Sequence, residues 1–393
     1  MFDADDACLK CSLCVAACPV YREEPRFPGP KALGPEWHRA ALAHPGLAAS
    51  DHVDDCTFCQ LCEAACPAGV PVAHLIAQHK ATRVKSAAAL VRDAVLARPH
   101  LVARAPALAG IAGPPARWVG LSADARRPRP QASRWPARPE GPGTRGGVAL
   151  FVDCFTRAYD GGAAEAAARL LAQWGYAVQR VPRASQCCGA AAYAAGQPAA
   201  AWRIAAATAE RLGAKGSVQA VVTLNATCDG TLRDEWPRYF TLGAPAPVVP
   251  FTAFALAEAP SEFWRGLAPG DGDPVFVHTT CRAKVSQGEG MLLALVRRAG
   301  ARVVERLDLE CCGAAGSYAF KAEHHPVAQR LGRGAAEQVG GRPGVMLVDS
   351  GTCALHLSQM TGLACKHPAR WLDERQASAR GAEGHRRESG ADG

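Results

Sequence analysis

Short apolar runs alternate with segments of helical period through the C-terminal two thirds of the chain, and the same order occurs twice. The first copy reads VALFVDC, a helical stretch, AVQRV, QCCGAA, a second helical stretch and VVTLNATC. The second reads PVFVHTTC, a helical stretch, ARVVERL, ECCGAA, another helical stretch and VMLVDSGTC. Brief runs rich in Val, Leu and Phe predict buried strands, and the longer periodic stretches predict helices. Ala163 to Trp174 closes on Gly175 and Met291 to Ala299 on Gly300, the residue that helix C-termini favour. Strands alternating with helices predict parallel βαβ units with right-handed crossovers. Corresponding cysteines keep a near-constant offset: 127 from Cys154 to Cys281, 124 from Cys188 to Cys312 and 125 from Cys228 to Cys353. Two pseudo-symmetric halves are therefore expected, at 148–270 and 271–372. In such sheets the loops at the carboxyl ends of the strands gather at one edge, where ligands bind. Each trio of strand-end cysteines is expected to converge there.

Upstream the pattern changes. Residues 1–80 hold eight cysteines in two identical blocks and read as a small α-helical module. Residues 81–147 hold none. Within them Ala81 to Ala97 has helical character, with Val84, Leu90, Val91, Val95 and Leu96 among basic residues. It predicts a helix that either packs on the protein's own core or lies on a surface. The Pro/Arg/Gly stretch from Arg126 to Gly147 reads as an extended linker. The tail, 373–393, is polar and Arg/Gly-rich, and disorder is expected there. The fold class is α+β overall: a helical N-terminal module, then a duplicated α/β domain of parallel units.

Composition narrows the function. In 393 residues, 49% are hydrophobic and 20% charged, which describes a globular chain. No run of eighteen apolar residues occurs, and the acidic start from Met1 to Lys10 leaves no room for an export signal. With seventeen cysteines and no export signal, metal ligation is expected rather than a disulfide framework. A cytoplasmic location follows from the same reasoning. The net charge of +8 is uneven: Lys80 to Gly146 holds thirteen Lys/Arg and three Asp/Glu, or +10, leaving the remainder near −2. Such a belt suits an anionic membrane face or an acidic partner subunit, or is a solvated linker. It has few aromatics and no nucleic-acid motif, so no nucleic-acid partner is expected.

The chemistry lies in the cysteines. Cys8-x2-Cys11-x2-Cys14-x3-Cys18-Pro19 is followed by Cys56-x2-Cys59-x2-Cys62-x3-Cys66-Pro67. Three cysteines in a tight loop cap three irons of a cubane, and in two-cluster ferredoxins the fourth ligates the other cluster. Two 4Fe–4S clusters are expected: one on Cys8, Cys11, Cys14 and Cys66, the other on Cys56, Cys59, Cys62 and Cys18. Structural zinc favours paired Cys-x2-Cys units and fits triple-plus-one blocks poorly.

The vicinal pairs Cys187–Cys188 and Cys311–Cys312, each followed by Gly-Ala-Ala, form the second signal. One pair alone could be a strained disulfide. Duplication beside strand-end cysteines predicts a metal or cluster site in at least one half, with structural thiols as the alternative. Cys365 has no counterpart in the first half and reads as a structural thiol, as His278, His356 and His367 read as structural histidines. Gly141-Pro-Gly143-Thr-Arg-Gly146 matches G-x-G-x-x-G, but a linker precedes it and a strand follows, so no FAD or NAD site is expected.

These residues resemble the Cys-Cys-Gly-domain iron–sulfur family. That family includes the iron–sulfur subunits of glycerol-3-phosphate, glycolate and lactate oxidation and of heterodisulfide reductase. The resemblance covers roughly residues 6–372. CPVYREEPRFPGPKALGPE, CTFCQLCEAACPAGVPV, CCGAAGSYAFKAEHH and VDSGTCALHLSQMTGLACKHPARWL are similar to the anaerobic glycerol-3-phosphate dehydrogenase branch. The family's halves often end in Cys-x-x-Cys; here Asn225 and Ser350 replace the first cysteine of each. Four cysteines per half remain: Cys154, Cys187, Cys188 and Cys228, then Cys281, Cys311, Cys312 and Cys353. Relatives with five ligands hold an unusual non-cubane cluster; a four-thiolate or oxygen-assisted site stays open here. The resemblance implies one-electron transfer from a separate FAD-containing dehydrogenase subunit towards a membrane-bound partner or the quinone pool. It also implies a peripheral place on the inner face of the cell membrane. The alternatives are the iron–sulfur subunit of a glycolate or lactate oxidase, and a non-catalytic anchoring or assembly subunit.

Overall fold

The computed structural model describes residues 7–96, 120–126, 128–131, 141–180, 187–213, 218–268 and 274–389. Two four-stranded parallel sheets share one topology. The first holds β1 (Gly147–Phe151), β2 (Ala177–Arg180), β3 (Ala220–Thr223) and β4 (Val248–Pro250) in the order β2-β1-β3-β4. The second holds β5 (Val275–Val277), β6 (Val304–Arg306), β7 (Val345–Leu347) and β8 (Ala364–Lys366) in the order β6-β5-β7-β8. The central strands β1, β3, β5 and β7 are covered on both faces, which is why they read as continuous apolar runs. On β1, Val148 and Leu150 join a core that also takes Val277 and Leu347 from the second half. Ala149 and Phe151 face the opposite core, among Cys188 and Cys228. The edge strands β4 and β8 complete the sheets. Pro250 ends β4 at an edge, where its missing N–H breaks no ladder.

The halves pack reciprocally. Helix Ala226–Gly230 after β3 lies on helix Cys281–Ser286 after β5, and helix Cys154–Tyr159 after β1 lies on helix Gly351–Thr361 after β7. The amide of Ala226 donates to the Asp349 carbonyl at 3.1 Å, and His367 Nε2 donates to the Leu224 carbonyl at 2.9 Å. The strand ends carrying the cysteines therefore meet near the seam. The N-terminal module packs against both halves. Its Phe27, Leu33, Leu75 and Ile76 share a core with Tyr193 and Trp236 of the first half and Tyr318 and Val327 of the second.

Two expectations change. The tail is not disordered over 373–389: helix Pro368–Ser389 runs through it and packs along helix Gly161–Gln173. Ala369, Trp371 and Leu372 are buried, and Arg169 pairs with Asp373 at 2.7 Å. The packed side is short, so the average over the tail stays polar. Residues 390–393 lie outside the described residues.

The helix expected over 81–97 begins only at Ala87, after a break that follows helix Val72–Ala81. Val84, Leu90 and Val91 are exposed, and a buried carboxylate anchors the segment instead. Asp93 takes Lys321 at 2.9 Å and Lys85 at 3.1 Å, and despite burial their charges hold its pKa down to about 2. Much of the described belt is spent internally: Arg83 pairs with Asp54, Arg92 with Glu323 and Arg145 with Glu258. Arg98, Arg104, Arg117, Arg127, Arg134 and Arg138 lie outside the described residues.

Candidate iron–sulfur sites

The two N-terminal blocks fold alike because their backbones bend at the same places. Lys10 and Ser12 in the first, and Phe58 and Gln60 in the second, adopt the left-handed region with φ of 56–65°. Each second bend starts a one-turn helix, Leu13–Ala16 or Leu61–Ala64, carrying the third cysteine. Proline follows the fourth cysteine in each block. Pro19 opens helix Pro19–Glu23, and Pro67 leads the chain towards helix Val72–Ala81.

The result is crosswise. One cleft is lined by Cys8, Cys11, Cys14 and Cys66; another by Cys18, Cys56, Cys59 and Cys62. Each draws three cysteines from one block and the fourth from the other. Burial, then the neighbouring Cys8 and Cys66, raise the Cys14 thiol. Burial pushes Cys18 and Cys59 up to about 12. Four thiolates so placed require a compensating cation. Zinc would draw sulfurs to about 2.3 Å from one point. Among the described residues no three Cys, His, Asp or Glu side chains converge on a single ion position. Three cysteines of one loop with a fourth from the other block match the ligand pattern of a two-cluster ferredoxin.

In the first half, Cys154 is within hydrogen-bond reach of Cys187, and Cys228 of Cys188. Those contacts, with burial, raise Cys154 and Cys228, while the bond from Cys154 lowers Cys187. In the second half the contacts form a chain, Cys281 to Cys311 to Cys312 to Cys353. All eight half-domain cysteines thus meet in two groups of four. Cys365 stands apart on edge strand β8, where burial pushes it up to about 12. Gly189 and Gly313 carry φ of 91° and 84°, and an added Cβ would meet the Ala201 or Ala328 carbonyl oxygen at 2.8 or 2.6 Å. Only glycine turns the chain there.

The replaced positions differ. Asn225 is a helix cap whose side-chain oxygen accepts the Thr227 amide at 3.0 Å. The Ser350 hydroxyl lies 3.5 Å from Thr352 Oγ1. Of the histidines, His356 and His367 bond the carbonyls of Ala328 and Leu224. His278 is fully buried, with neither ring nitrogen partnered among the described residues, and burial drives its pKa down to about 3.

The groups also meet one another. The Cys59 thiol feels Cys281, and Cys311 feels Cys59, so the second N-terminal cavity abuts the second half. Gln60, beside Cys59, donates to Glu235 at 2.8 Å, and Glu235 pairs with Arg282, beside Cys281. Trp236 pins the Cys188 carbonyl at 2.9 Å. Gln60, Glu235, Trp236 and Arg282 are not visible as site residues in the sequence, because no motif spacing marks a contact that spans 47 or 175 residues.

Comparison with known proteins agrees with this layout. Residues 4–70 match a 4Fe-4S dicluster domain, and residues 148–233 and 275–358 each match a cysteine-rich domain. The chain is similar to a subunit of the anaerobic glycerol-3-phosphate dehydrogenase of Escherichia coli strain K12. Identity is 29% over 389 residues, covering 92% of this chain and 96% of the relative. The same protein from Escherichia coli O157:H7 gives the same figures. The chain thus carries a 4Fe-4S dicluster domain ahead of a duplicated cysteine-rich domain and is a homologue of that dehydrogenase subunit, which supports an iron–sulfur electron-transfer role.

Proposed function

We propose that this chain is the electron-transfer subunit of a quinone-linked dehydrogenase oxidising glycerol-3-phosphate on a separate FAD-containing subunit. The reading rests on similarity along nearly the whole chain, and one structural observation supports its mechanism: the cleft of Cys18, Cys56, Cys59 and Cys62 abuts Cys281 and Cys311 of the second half. Cys8, Cys11, Cys14 and Cys66 hold one 4Fe–4S cluster, and Cys18, Cys56, Cys59 and Cys62 hold the second. Cys281, Cys311, Cys312 and Cys353 hold a further iron–sulfur site, followed by Cys154, Cys187, Cys188 and Cys228. When bound, such clusters exchange single electrons, at potentials tuned by surrounding hydrogen bonds and burial.

The residues supply the rest. The left-handed bends at Lys10, Ser12, Phe58 and Gln60 set the three-cysteine loops, and the crossed fourth cysteines tie the two cavities together. Apolar lining from Val20, Phe27, Val70 and Val72 limits water. Among the described residues no helix is long and apolar enough to cross a membrane. Attachment in this reading is peripheral, on the inner face of the cell membrane, through a membrane-bound partner and the remaining part of the basic belt.

In anaerobically prepared full-length protein, Cys66→Ser should perturb the EPR signal of the Cys8, Cys11 and Cys14 site. Cys18→Ser should perturb that of the Cys56, Cys59 and Cys62 site. Local loss in both variants would refute the crossed assignment. Failure of glycerol-3-phosphate and the flavin subunit to reduce either signal would refute the substrate reading separately.

A further inference from the structure

Arg282 follows the first cysteine of the second half and is 5% exposed. Its Nη2 pairs with Glu235 Oε1 from the first half. The same oxygen accepts from Gln60 Nε2 of the N-terminal module at 2.8 Å, and Glu235 Oε2 accepts from Thr231 Oγ1 at 3.1 Å. Glu235 is 2% exposed, so the ion pair is buried on both sides. Gly230 makes room for it: an added Cβ would lie 2.9 Å from Arg282 Nη2.

The rest of the guanidinium is unspent. Nε and Nη1 have no hydrogen-bond partner among the described residues, although both are buried. Burying donors without acceptors is costly, and buried ion pairs seldom stabilise a protein better than apolar packing would. Two free donors on different edges of a planar guanidinium suit two separate anionic acceptors. After Glu235, the groups that act on its charge are the thiols of Cys281 and Cys188, one from each half.

We propose that Arg282 is the shared charge partner of the two half-domain sites, its buried cation acting on the sulfurs of Cys281 and Cys188 and its unpartnered Nε and Nη1 available to anionic sulfur when those sites are loaded. Glu235 and Gln60 hold its plane and connect it to the loop that carries Cys59. Arg282 then raises the reduction potentials of both half-domain sites together, because hydrogen bonds and positive charge at sulfur favour the reduced state. This inference rests on the reading of the halves as redox sites.

The test is a potentiometric EPR titration of anaerobically prepared full-length protein, with iron and sulfide content matched to wild type. Signals from the halves are assigned beforehand with Cys281→Ser and Cys188→Ser. Arg282→Gln should lower the midpoint potential of both half-domain signals, Glu235→Gln should raise it, and Arg282→Lys should fall between Arg282→Gln and wild type. A structural role would damage both sites in the same direction. Unshifted midpoints, shifts of one sign in the Gln variants, or loss of both signals in both Gln variants would overturn the proposal. Wild-type protein with no half-domain signal would instead refute the reading of the halves as redox sites, and this inference with it.

Discussion

The two half-domains share a strand order and four cysteines each, but they hold those cysteines differently. In the second half Cys311, Cys312 and Cys353 are buried, and only Cys281 is partly exposed. In the first half Cys188 and Cys228 are buried, while Cys154 and Cys187 are both partly exposed. The second half also touches the N-terminal module at its chemistry, through Cys59 with Cys281 and Cys311. The first half meets that module through Tyr193, Trp236 and Glu235, in a core that also takes Cys188 and Cys228. Duplication has thus produced an inner site and an outer one. In the proposed function, the inner site would receive electrons from the N-terminal clusters and the outer site would pass them on.

The sharpest way to break this comparison is to remove one ligand from each half. Cys281→Ser should slow reduction of the first-half site during turnover with the flavin partner by about 10–100-fold or more, since outer-shell changes alone reach that range. Cys154→Ser should leave reduction of the second-half site near its normal rate. Rapid-freeze EPR of both variants provides the comparison. Equal slowing in both would mean that the halves work in parallel and that inner and outer have no functional content.

The halves also differ in a buried acid. Asp349 occupies the position that Leu224 holds in the first half, one residue before Ser350 or Asn225. Burial raises its pKa to about 6, against the opposing hydrogen bond from Thr280 Oγ1 at 3.1 Å. The folded state therefore binds this proton more tightly than the unfolded chain, whose group titrates near 3.8. Stability falls as pH rises between those values, and above about 6 the cost is on the order of 3 kcal/mol. Asp349→Asn keeps an acceptor for Thr280 and removes the charge. It should raise stability at pH 7 by roughly 1–3 kcal/mol, with the gain shrinking towards pH 5. Anaerobic thermal unfolding across that range would show it. A gain that does not change with pH would place the effect in packing.

Much of this architecture was legible from spacing. The central strands and the repeat follow from apolar runs that lead to cysteine, and the vicinal pairs from the repeated Cys-Cys-Gly-Ala-Ala motif. What was not legible has local physical reasons. Val248–Pro250 and Ala364–Lys366 are short edge strands that end in proline and lysine rather than leading into a cysteine, so nothing marks them. The C-terminal helix buries Ala369, Trp371 and Leu372 near its start, so the composition of the tail conceals it. Helix Ala87–Leu96 is held by Asp93, an ionic anchor that an apolar pattern cannot show. The Gln60–Glu235–Arg282 junction joins three distant segments, and only the fold brings them together.

The smallest expected difference concerns the seam between the halves. Gly351 and Ala226 are equivalent positions, each just after the replaced cysteine. The reciprocal packing is not symmetric in size, because Phe155 of the first half lies over Gly351. A Cβ added there would come within 2.4 Å of Phe155 Cδ1 and 2.5 Å of Cε1. Cys281–Ser286 is the helix that Ala226 faces instead, and its side accepts a methyl group. Gly351→Ala should therefore overpack the seam, at a cost of about 1–3 kcal/mol, unless the ring swings away. Ala226→Gly should lose no more than about 1 kcal/mol, mostly from helix propensity. Phe155→Leu combined with Gly351→Ala should recover much of the first loss, since it removes the atoms that clash. Thermal unfolding of the three variants, with iron content held equal, measures all of this. If Gly351→Ala proves neutral and Ala226→Gly the more damaging, Phe155 does not set the seam. The asymmetry between the halves would then be confined to their sulfur sites.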